Sequence, residues 1–149
     1  MSTSLREPVR VVVVDDHQMV LDGLRAMLAT YSGQVEIVGE ATEPELAMKI
    51  IIEHEPDITL LDVRLRGSSG MDLCAEIRQR QPGCKVVFLT VYDDEQYLFQ
   101  ALRVGASGYL LKSISSDELV RQLEFVHAGE TAIDPGMAAR GRHGGPALA

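Results

Sequence analysis

Five polar side chains of the sequence each follow a short apolar run, and together they could handle a phosphoryl group: Asp15, Asp16, Asp62, Thr90 and Lys112. Three carboxylates held together repel one another. A magnesium ion would relieve that repulsion, because it prefers oxygen ligands and keeps waters and phosphate oxygens in its remaining positions. A carboxylate is also a competent nucleophile for phosphoryl transfer, and an ammonium and a hydroxyl can position the transferred oxygens. These residue types therefore indicate magnesium-assisted phosphorylation of an aspartate.

The apolar runs before these residues alternate with helical patterns. Runs rich in β-branched residues predict strands at 9–14, 35–38, 58–61, 86–89 and 109–111. Pro44 opens a helix whose apolar face is assigned to Leu46, Ile50 and Ile51. Further helices are predicted at 70–81 and 94–104, and a last one begins at Ser115 with a capping box.

This strict alternation predicts an α/β fold in which a parallel sheet has helices on both faces. Five units cannot close an eight-stranded barrel, so the sheet should be open and doubly wound. Ligands bind at the carboxyl edge of such sheets, where the five polar residues should converge. The pattern fades after Gly129, which divides the chain into a domain at 8–130 and a linker-like tail at 131–149, with Asp134-Pro135-Gly136 as a turn.

Length, charge and cysteine content narrow the classes of function. The 149 residues suit one domain, and the net charge of −8, with 14 basic against 22 acidic residues, argues against DNA binding by this chain itself. Cys74 and Cys84 lack metal-ligand spacing and are expected to be reduced thiols. No membrane-spanning run or signal peptide is recognisable, so the chain is expected to be cytoplasmic.

Four motifs in order are specific enough to indicate a family: V-V-V-V-D-D-H, L-L-D-V-R-L, V-V-F-L-T and G-A-S-G-Y-L-L-K. Over roughly residues 8–130 the chain resembles the receiver domain of bacterial two-component response regulators. D-D-H and G-A-S-G-Y-L-L-K-S are similar to the NarL/FixJ (LuxR-type) subfamily. The resemblance implies a flavodoxin-like (βα)5 fold with strand order 2-1-3-4-5.

The resemblance also implies a function, a phosphorylation-dependent signalling switch in transcription regulation that is not an enzyme. The expected partners are a sensor histidine kinase, which supplies the phosphoryl group, and a second copy of the chain, which pairs on phosphorylation. DNA would be contacted only through a helix-turn-helix domain following this segment. Two dimer faces stay open: the first and fifth helices, or the fourth helix with the fifth strand and the fifth helix.

Site roles carry over from the family residue by residue. Asp62 would be the phosphoacceptor, and Mg²⁺ would be held by Asp16, Asp62 and the backbone carbonyl of Arg64, with Asp15 acting largely through a coordinated water. Thr90 would hydrogen-bond the phosphoryl group and Lys112 would pair with it. Tyr109 would be the aromatic switch residue, turning inward when Thr90 is drawn toward the phosphate.

Three positions depart from the common family pattern. Leu65-Arg66-Gly67 replaces the usual Pro-Gly of the loop after the acceptor, so this loop is expected to be more mobile or to follow another path. Ser113 follows the lysine where many members have a cis proline. Arg64 is a bulky cation two residues past the acceptor, and our hypothesis is that it shields or pairs with the phosphoryl group and slows its hydrolysis.

Other interpretations of the same residues remain open. Asp15 or Asp16 could merely cap the first helix, although capping explains none of the other site residues. A phosphatase of the haloacid-dehalogenase type shares the aspartate nucleophile but needs a second acid where Arg64 stands. A nucleotide-binding module would need glycines in place of Asp15-Asp16-His17. Within the receiver family, a stand-alone receiver acting by protein contact is the main alternative.

Overall fold

Six parallel strands form the main sheet, and five of them were predicted from the apolar runs. The structure is a computed structural model that describes residues 7–138. Its strands, in chain order, are β1 Val9–Val14, β2 Val35–Ala41, β3 Ile58–Leu61, β4 Arg64–Leu65, β5 Ser68–Ser69, β6 Lys85–Thr90, β7 Gly108–Leu111 and β8 Ala132–Ile133. The sheet order is β2-β1-β3-β6-β7-β8, which confirms the predicted order 2-1-3-4-5 and adds β8 at one edge. β4 and β5 form a separate antiparallel ribbon.

Five α-helices connect the strands of the main sheet. They are α1 Gln18–Leu28, α2 Pro44–His54, α3 Gly70–Arg80, α4 Glu95–Arg103 and α5 Ser116–His127, and a short 3-10 turn follows α1. Pro44 stands at the start of α2 as predicted. The Ser115 hydroxyl caps α5 by accepting from Glu118 N at 3.2 Å. Capping of this kind satisfies backbone N–H groups that the first helical turn leaves without partners.

Helices cover both faces of the sheet, as a doubly wound fold requires. Alternate residues of β1 point to opposite faces: Val11 and Val13 pack with α1 and α5, and Val12 and Val14 pack with α2, α3 and α4. The prediction for α2 was partly wrong, because Leu46 is 44% exposed and Ala47, Met48 and Ile51 supply the buried face. The two-sided burial explains why the central strands are nearly continuous apolar runs.

Both cysteines are free and buried, in agreement with the prediction of reduced thiols. Burial raises the pKa of the Cys74 thiol to about 12 and also raises the pKa of Cys84. Thiols with raised pKa values are poor nucleophiles at neutral pH. Among residues 7–138, no helix has the length and apolar character that crossing a membrane would need.

The edge strand β2 contains an irregularity in its pairing with β1. Val11 pairs with Ile37 but Val12 pairs with Gly39, so Val38 is an extra residue in β2. One unpaired residue of this kind is a β-bulge, which bends a strand and increases its local twist. The exposed Glu36 and the partly exposed Glu40 lie on the same edge strand.

The short strand β8 was not predicted, and it joins residues past 130 to the sheet. Asp134 follows it: its backbone N–H donates to Tyr109 O at 2.8 Å, and its carboxylate accepts from Leu111 N at 2.9 Å and Gly136 N at 3.0 Å. The predicted turn is wrong, because Asp134 and Pro135 begin a helical segment at 135–138. The division of the chain at 130 stays a prediction, and residues 139–149 of the expected tail lie outside the described residues.

Replacement of Asp134 by alanine should destabilise the domain. The Asp134 side chain is buried, and its loss leaves the backbone N–H groups of Leu111 and Gly136 without acceptors, at a cost of about 1–3 kcal/mol. Urea unfolding of Asp134→Ala measures this cost. Asp134→Asn keeps one acceptor oxygen and should lose less, and equal unfolding midpoints for wild type and Asp134→Ala would contradict the prediction.

Candidate functional site

The backbone hydrogen bonds of the sheet continue into the predicted site residues and bring them to one edge. Asp15 N donates to Ala41 O at 3.2 Å, and Asp62 N donates to Val14 O at 3.3 Å. Lys112 N donates to Thr90 O at 2.8 Å. Each residue thus extends its strand by one position, so side chains from β1, β3, β6 and β7 meet at the carboxyl edge of the sheet, where ligands of such folds bind.

The Lys112 ammonium bridges two buried carboxylates at the centre of this edge. Its Nζ lies 2.7 Å from Asp15 Oδ2 and 2.8 Å from Asp62 Oδ2, and the two acidic side chains are only 4% and 7% exposed. Desolvation is the largest single effect on the pKa of Lys112 and lowers it. Hydrogen bonds to Asp15 and Asp62 and the attraction of both charges outweigh desolvation, so the pKa is raised overall. The site therefore holds a permanent cation between its acids at neutral pH.

The stability that Lys112 contributes should be lost at alkaline pH. Its folded-state pKa is raised, so this stability is complete below the unfolded value of 10.5 and disappears as pH rises through the folded-state pKa. Burial likewise raises the pKa of the Tyr109 phenol, so the comparison needs a variant that keeps Tyr109. In urea unfolding, the stability difference between wild type and Lys112→Gln should shrink above about pH 10.5. A difference independent of pH would show that the ammonium's charge is not responsible.

Two carboxylate oxygens of the site are buried without a hydrogen-bond donor. They are Asp62 Oδ1 and Asp16 Oδ1, the second of which lies at ion-pair distance from His17 Nδ1. Buried acceptors without partners are rare and costly, and each such group requires a cause, of which an ion is one. Oxygens of carboxylates, with a carbonyl and waters, are the ligands that magnesium takes. The donor set present at this edge thus fits a hard divalent cation.

His17 is close to both of the aspartates that follow β1, and the sequence had suggested no role for it. Its Nδ1 lies 3.2 Å from Asp15 Oδ1 and 2.9 Å from Asp16 Oδ1, and its side chain is 65% exposed. His17 is itself the N-cap of α1, and no side chain caps that helix. Helix capping therefore does not account for Asp15 and Asp16. The sequence shows that His17 follows Asp16, but it does not show that the His17 ring turns toward the two carboxylates.

Thr90 and Tyr109 are both fully buried and contact the same peptide segment. Thr90 Oγ1 accepts from Tyr92 N at 3.4 Å, and the Tyr109 hydroxyl donates to Tyr92 O at 2.7 Å. The Tyr109 ring also lies 6.1 Å from that of Phe88. The inward position of Tyr109 is therefore held by one hydrogen bond and by apolar packing. Both side chains thus hydrogen-bond the backbone of Tyr92.

Arg64 lies on the side of the site that faces α4. Its Nη2 donates to the Tyr97 hydroxyl at 3.1 Å, and its Cζ lies 5.4 Å from the centre of the Tyr92 ring. The hydrogen bond to Tyr97 raises the pKa of the exposed Arg64 guanidinium. Arg64 also lines the cleft that contains Asp62 and Lys112. The side chain thus connects the segment after Asp62 to α4, a contact that the sequence did not predict.

The segment after Asp62 is a tight ribbon of β4 and β5, with Arg66 and Gly67 at its turn. Gly67 takes φ 69°, which glycine adopts without steric cost. Gly70 then starts α3 so close to Asp62 that a Cβ atom on it would lie 1.9 Å from Asp62 O. Gly70 N also donates to Val63 O at 2.7 Å. The sequence analysis did not single out Gly70. Its only signal in the sequence is a glycine at the predicted start of a helix.

Comparison with known proteins identifies relatives over most of the chain. A family model described as the response regulator receiver domain matches residues 11–124. The oxygen regulatory protein NreC of Staphylococcus carnosus is 36% identical over 129 residues, covering 86% of this chain and 59% of NreC. The transcriptional regulatory protein DegU of Brevibacillus brevis is 33% identical over 127 residues, covering 85% of this chain and 53% of DegU. The chain thus spans little more than half the length of these relatives.

Solved structures give the same assignment. A LuxR-family two-component response regulator from Aurantimonas sp. SI85-9A1 superposes with a TM-score of 0.83 at 32% identity, covering 89% of this chain and 94% of that one. A LuxR-family DNA-binding response regulator from Staphylococcus aureus gives a TM-score of 0.73 at 27% identity, covering 80% of this chain and 98% of that one. The matched family model and these similarities together show that the chain belongs to the response regulator receiver domain family.

Proposed function

We propose that the chain is a signalling switch in which Asp62 accepts a phosphoryl group. The observation that carries the proposal is the Lys112 ammonium between buried Asp15 and Asp62, beside an Asp62 Oδ1 that accepts no hydrogen bond. One carboxylate oxygen of Asp62 would attack phosphorus and the other would be left for the metal, with Lys112 Nζ at 2.8 Å from Oδ2. The bond from phosphorus to the donor's leaving group breaks as the new bond forms, and the ammonium neutralises charge on the transferred oxygens.

The proposed metal ligands are the side chains of Asp16 and Asp62 and the backbone carbonyl of Arg64. Asp15 would contribute largely through a water, since its Oδ2 is taken by Lys112 and its Oδ1 accepts from His17 N at 2.9 Å. When bound, Mg²⁺ would supply positive charge to the phosphoryl oxygens and offset the repulsion among the carboxylates. The two buried oxygens without donors support this ligand set.

Thr90 and Tyr109 are proposed to convert phosphorylation into a change of shape. A phosphoryl group on Asp62 would draw the Thr90 hydroxyl toward it and away from Tyr92 N, which now donates to Thr90 at 3.4 Å. Residue 92 also receives the hydrogen bond of Tyr109, so the two positions are linked through one peptide segment. The structure has Tyr109 in the inward arrangement, and a phosphoryl charge at Asp62 would stabilise that arrangement over an outward one.

The proposed partners follow from family membership and from charge. A sensor histidine kinase would supply the phosphoryl group, and phosphorylation would promote homodimerisation. The net charge of −8 argues against DNA binding by this segment itself. DNA contact is therefore proposed only through a separate helix-turn-helix domain, and this segment spans little more than half the length of NreC or DegU. Arg64 stands where a phosphatase would need its general acid, which supports a switch over an enzyme.

Exposure to a small phosphodonor tests the core of the proposal. The chain would be incubated with acetyl phosphate or phosphoramidate in the presence of magnesium, and its intact mass would be measured. We expect a gain of one phosphoryl group that requires the metal, because both the nucleophile and the charge-neutralising groups are in place. No gain from either donor would contradict the proposal.

The Arg64 hypothesis leads to a prediction about the lifetime of the phosphorylated state. If the guanidinium shields or pairs with the phosphoryl group, Arg64→Ala should shorten the lifetime of the aspartyl phosphate about two- to five-fold, as expected from losing one exposed charge interaction. Loss of phosphate would be followed after removal of the donor. Arg103→Ala, which changes an exposed cation in the last turn of α4 that does not line the cleft of Asp62 and Lys112, is the matched control. Equal lifetimes for wild type and Arg64→Ala would refute the hypothesis.

A further inference from the structure

We infer that His17 supplies a nitrogen ligand to the metal site, which makes the site favour transition-metal dications over Mg²⁺. This inference rests on the metal site of the proposed function. It concerns which ion occupies that site, and it assigns a role to a side chain that the phosphorylation chemistry does not use.

The geometry of the three donor atoms is that of neighbouring ligands. His17 Nδ1 lies 2.9 Å from Asp16 Oδ1 and 3.2 Å from Asp15 Oδ1. For an octahedral ion with bonds of about 2.1 Å, adjacent ligand atoms are about 3.0 Å apart. Donor atoms of Asp15, Asp16 and His17 all lie within 4.8 Å of one another. One ion can therefore contact the nitrogen and a carboxylate oxygen together.

His17 lies against both carboxylates through a single nitrogen. Nδ1 approaches Asp15 Oδ1 in hydrogen-bonding geometry at 3.2 Å and lies 2.9 Å from Asp16 Oδ1, the distance of an ion pair when the ring is protonated. When the ring is neutral with its proton on Nε2, Nδ1 instead presents a lone pair toward these oxygens. An ion among the three donor atoms would bind that form of the ring.

A second observation shows that the cluster is more than an acidic loop. Asp62 Oδ1 belongs to a side chain only 7% exposed, comes from a different strand and has no hydrogen-bond partner. Asp62 lines the same cleft as Asp16 and His17. A buried acceptor without a donor, placed in the cleft beside the histidine, points to a bound cation.

The ligand type sets the preference among ions. Imidazole nitrogen suits Co²⁺, Ni²⁺, Cu²⁺ and Zn²⁺, whereas Mg²⁺ prefers oxygen and readily keeps water in its place. A histidine that only hydrogen-bonds the aspartates would compete with every dication alike, and its removal would strengthen the binding of all of them. If the histidine is a ligand, its removal would instead weaken the binding of the ions that prefer nitrogen. Metal identity therefore separates the two roles.

The test compares Mg²⁺, Co²⁺ and Ni²⁺ binding by calorimetry in wild type and His17→Ala, with circular dichroism to verify the fold. His54→Ala, which removes an exposed histidine at the end of α2, is the matched control for adventitious binding. We expect His17→Ala to weaken Co²⁺ and Ni²⁺ binding about ten-fold or more and to change Mg²⁺ binding less than about two-fold. Hyperfine-shifted imidazole resonances of the Co²⁺-loaded wild type should be absent from His17→Ala.

Equal changes for all three ions, in either direction, would overturn the inference. A wild type that binds Mg²⁺ and gains a phosphoryl group, while its preference for Co²⁺ and Ni²⁺ is the same in His17→Ala, would overturn the role of His17 alone. A wild type that binds none of the three ions would overturn both the role of His17 and the proposed metal site.

Discussion

Asp62→Asn should abolish phosphoryl uptake from acetyl phosphate, lowering the rate roughly a thousand-fold or more. The carboxylate is the proposed nucleophile, and an amide oxygen or nitrogen in its place attacks phosphorus poorly. The substitution also removes a buried charge next to the Lys112 ammonium, which keeps Asp15 as its partner at 2.7 Å. The fold should therefore survive, and the loss should be one of chemistry.

Intact mass after donor treatment measures this outcome, and circular dichroism verifies the fold. The matched control is Asp72→Asn, which changes an exposed aspartate in the first turn of α3 and should leave phosphoryl uptake intact. A full gain of mass in Asp62→Asn would move the phosphoacceptor to another residue. Loss of uptake in both variants would indicate a general effect of removing acidic charge.

Gly70→Ala should be the most destabilising of the small substitutions near the site. An alanine Cβ would lie 1.9 Å from Asp62 O and 2.9 Å from Val63 O, distances at which real atoms do not coexist. Both obstacles are backbone atoms, which cannot move away as a flexible side chain can. Relief requires shifting either the start of α3 or the backbone of Asp62, at a cost of about 3 kcal/mol or more.

Urea unfolding of Gly70→Ala and Gly23→Ala provides a matched comparison. Gly23 is an exposed glycine inside α1 with open space around its Cα, so alanine should stabilise there by about 1 kcal/mol. Opposite signs for the two variants are expected. A Gly70→Ala protein as stable as wild type, with unchanged phosphoryl uptake, would mean that the contact between α3 and Asp62 is looser than the structure has it.

Sequence reasoning identified the sheet and its ligand edge because both depend on local patterns. Runs such as Val9–Val14 are long, apolar and β-branched, and parallel strands with these connections all end at the same edge. That rule is enough to bring residues of four strands together. The motifs then gave each residue a family role, and those roles for Asp62, Thr90 and Lys112 remain predictions for the experiments above.

The features that sequence reasoning missed depend on contacts between distant residues or on short segments. β8 has two residues, too few to show a periodicity. Asp134-Pro135-Gly136 suits a turn and a helix start equally well, since proline is favoured in both. The contacts of Arg64 with Tyr97 and of Gly70 with Asp62 O cross between elements. No spacing in the sequence reveals where such side chains and backbone atoms meet.

The two edge strands of the sheet also determine how copies of the chain can associate. An open edge invites another strand to add to it, which leads to aggregation. β8 offers only two residues at one edge, and at the other β2 combines a bulge at Val38 with the acidic Glu36 and Glu40. Both edges thus disfavour a continuous intermolecular sheet. The proposed pairing on phosphorylation would then use helical surfaces, which can separate without breaking a hydrogen-bonded ladder.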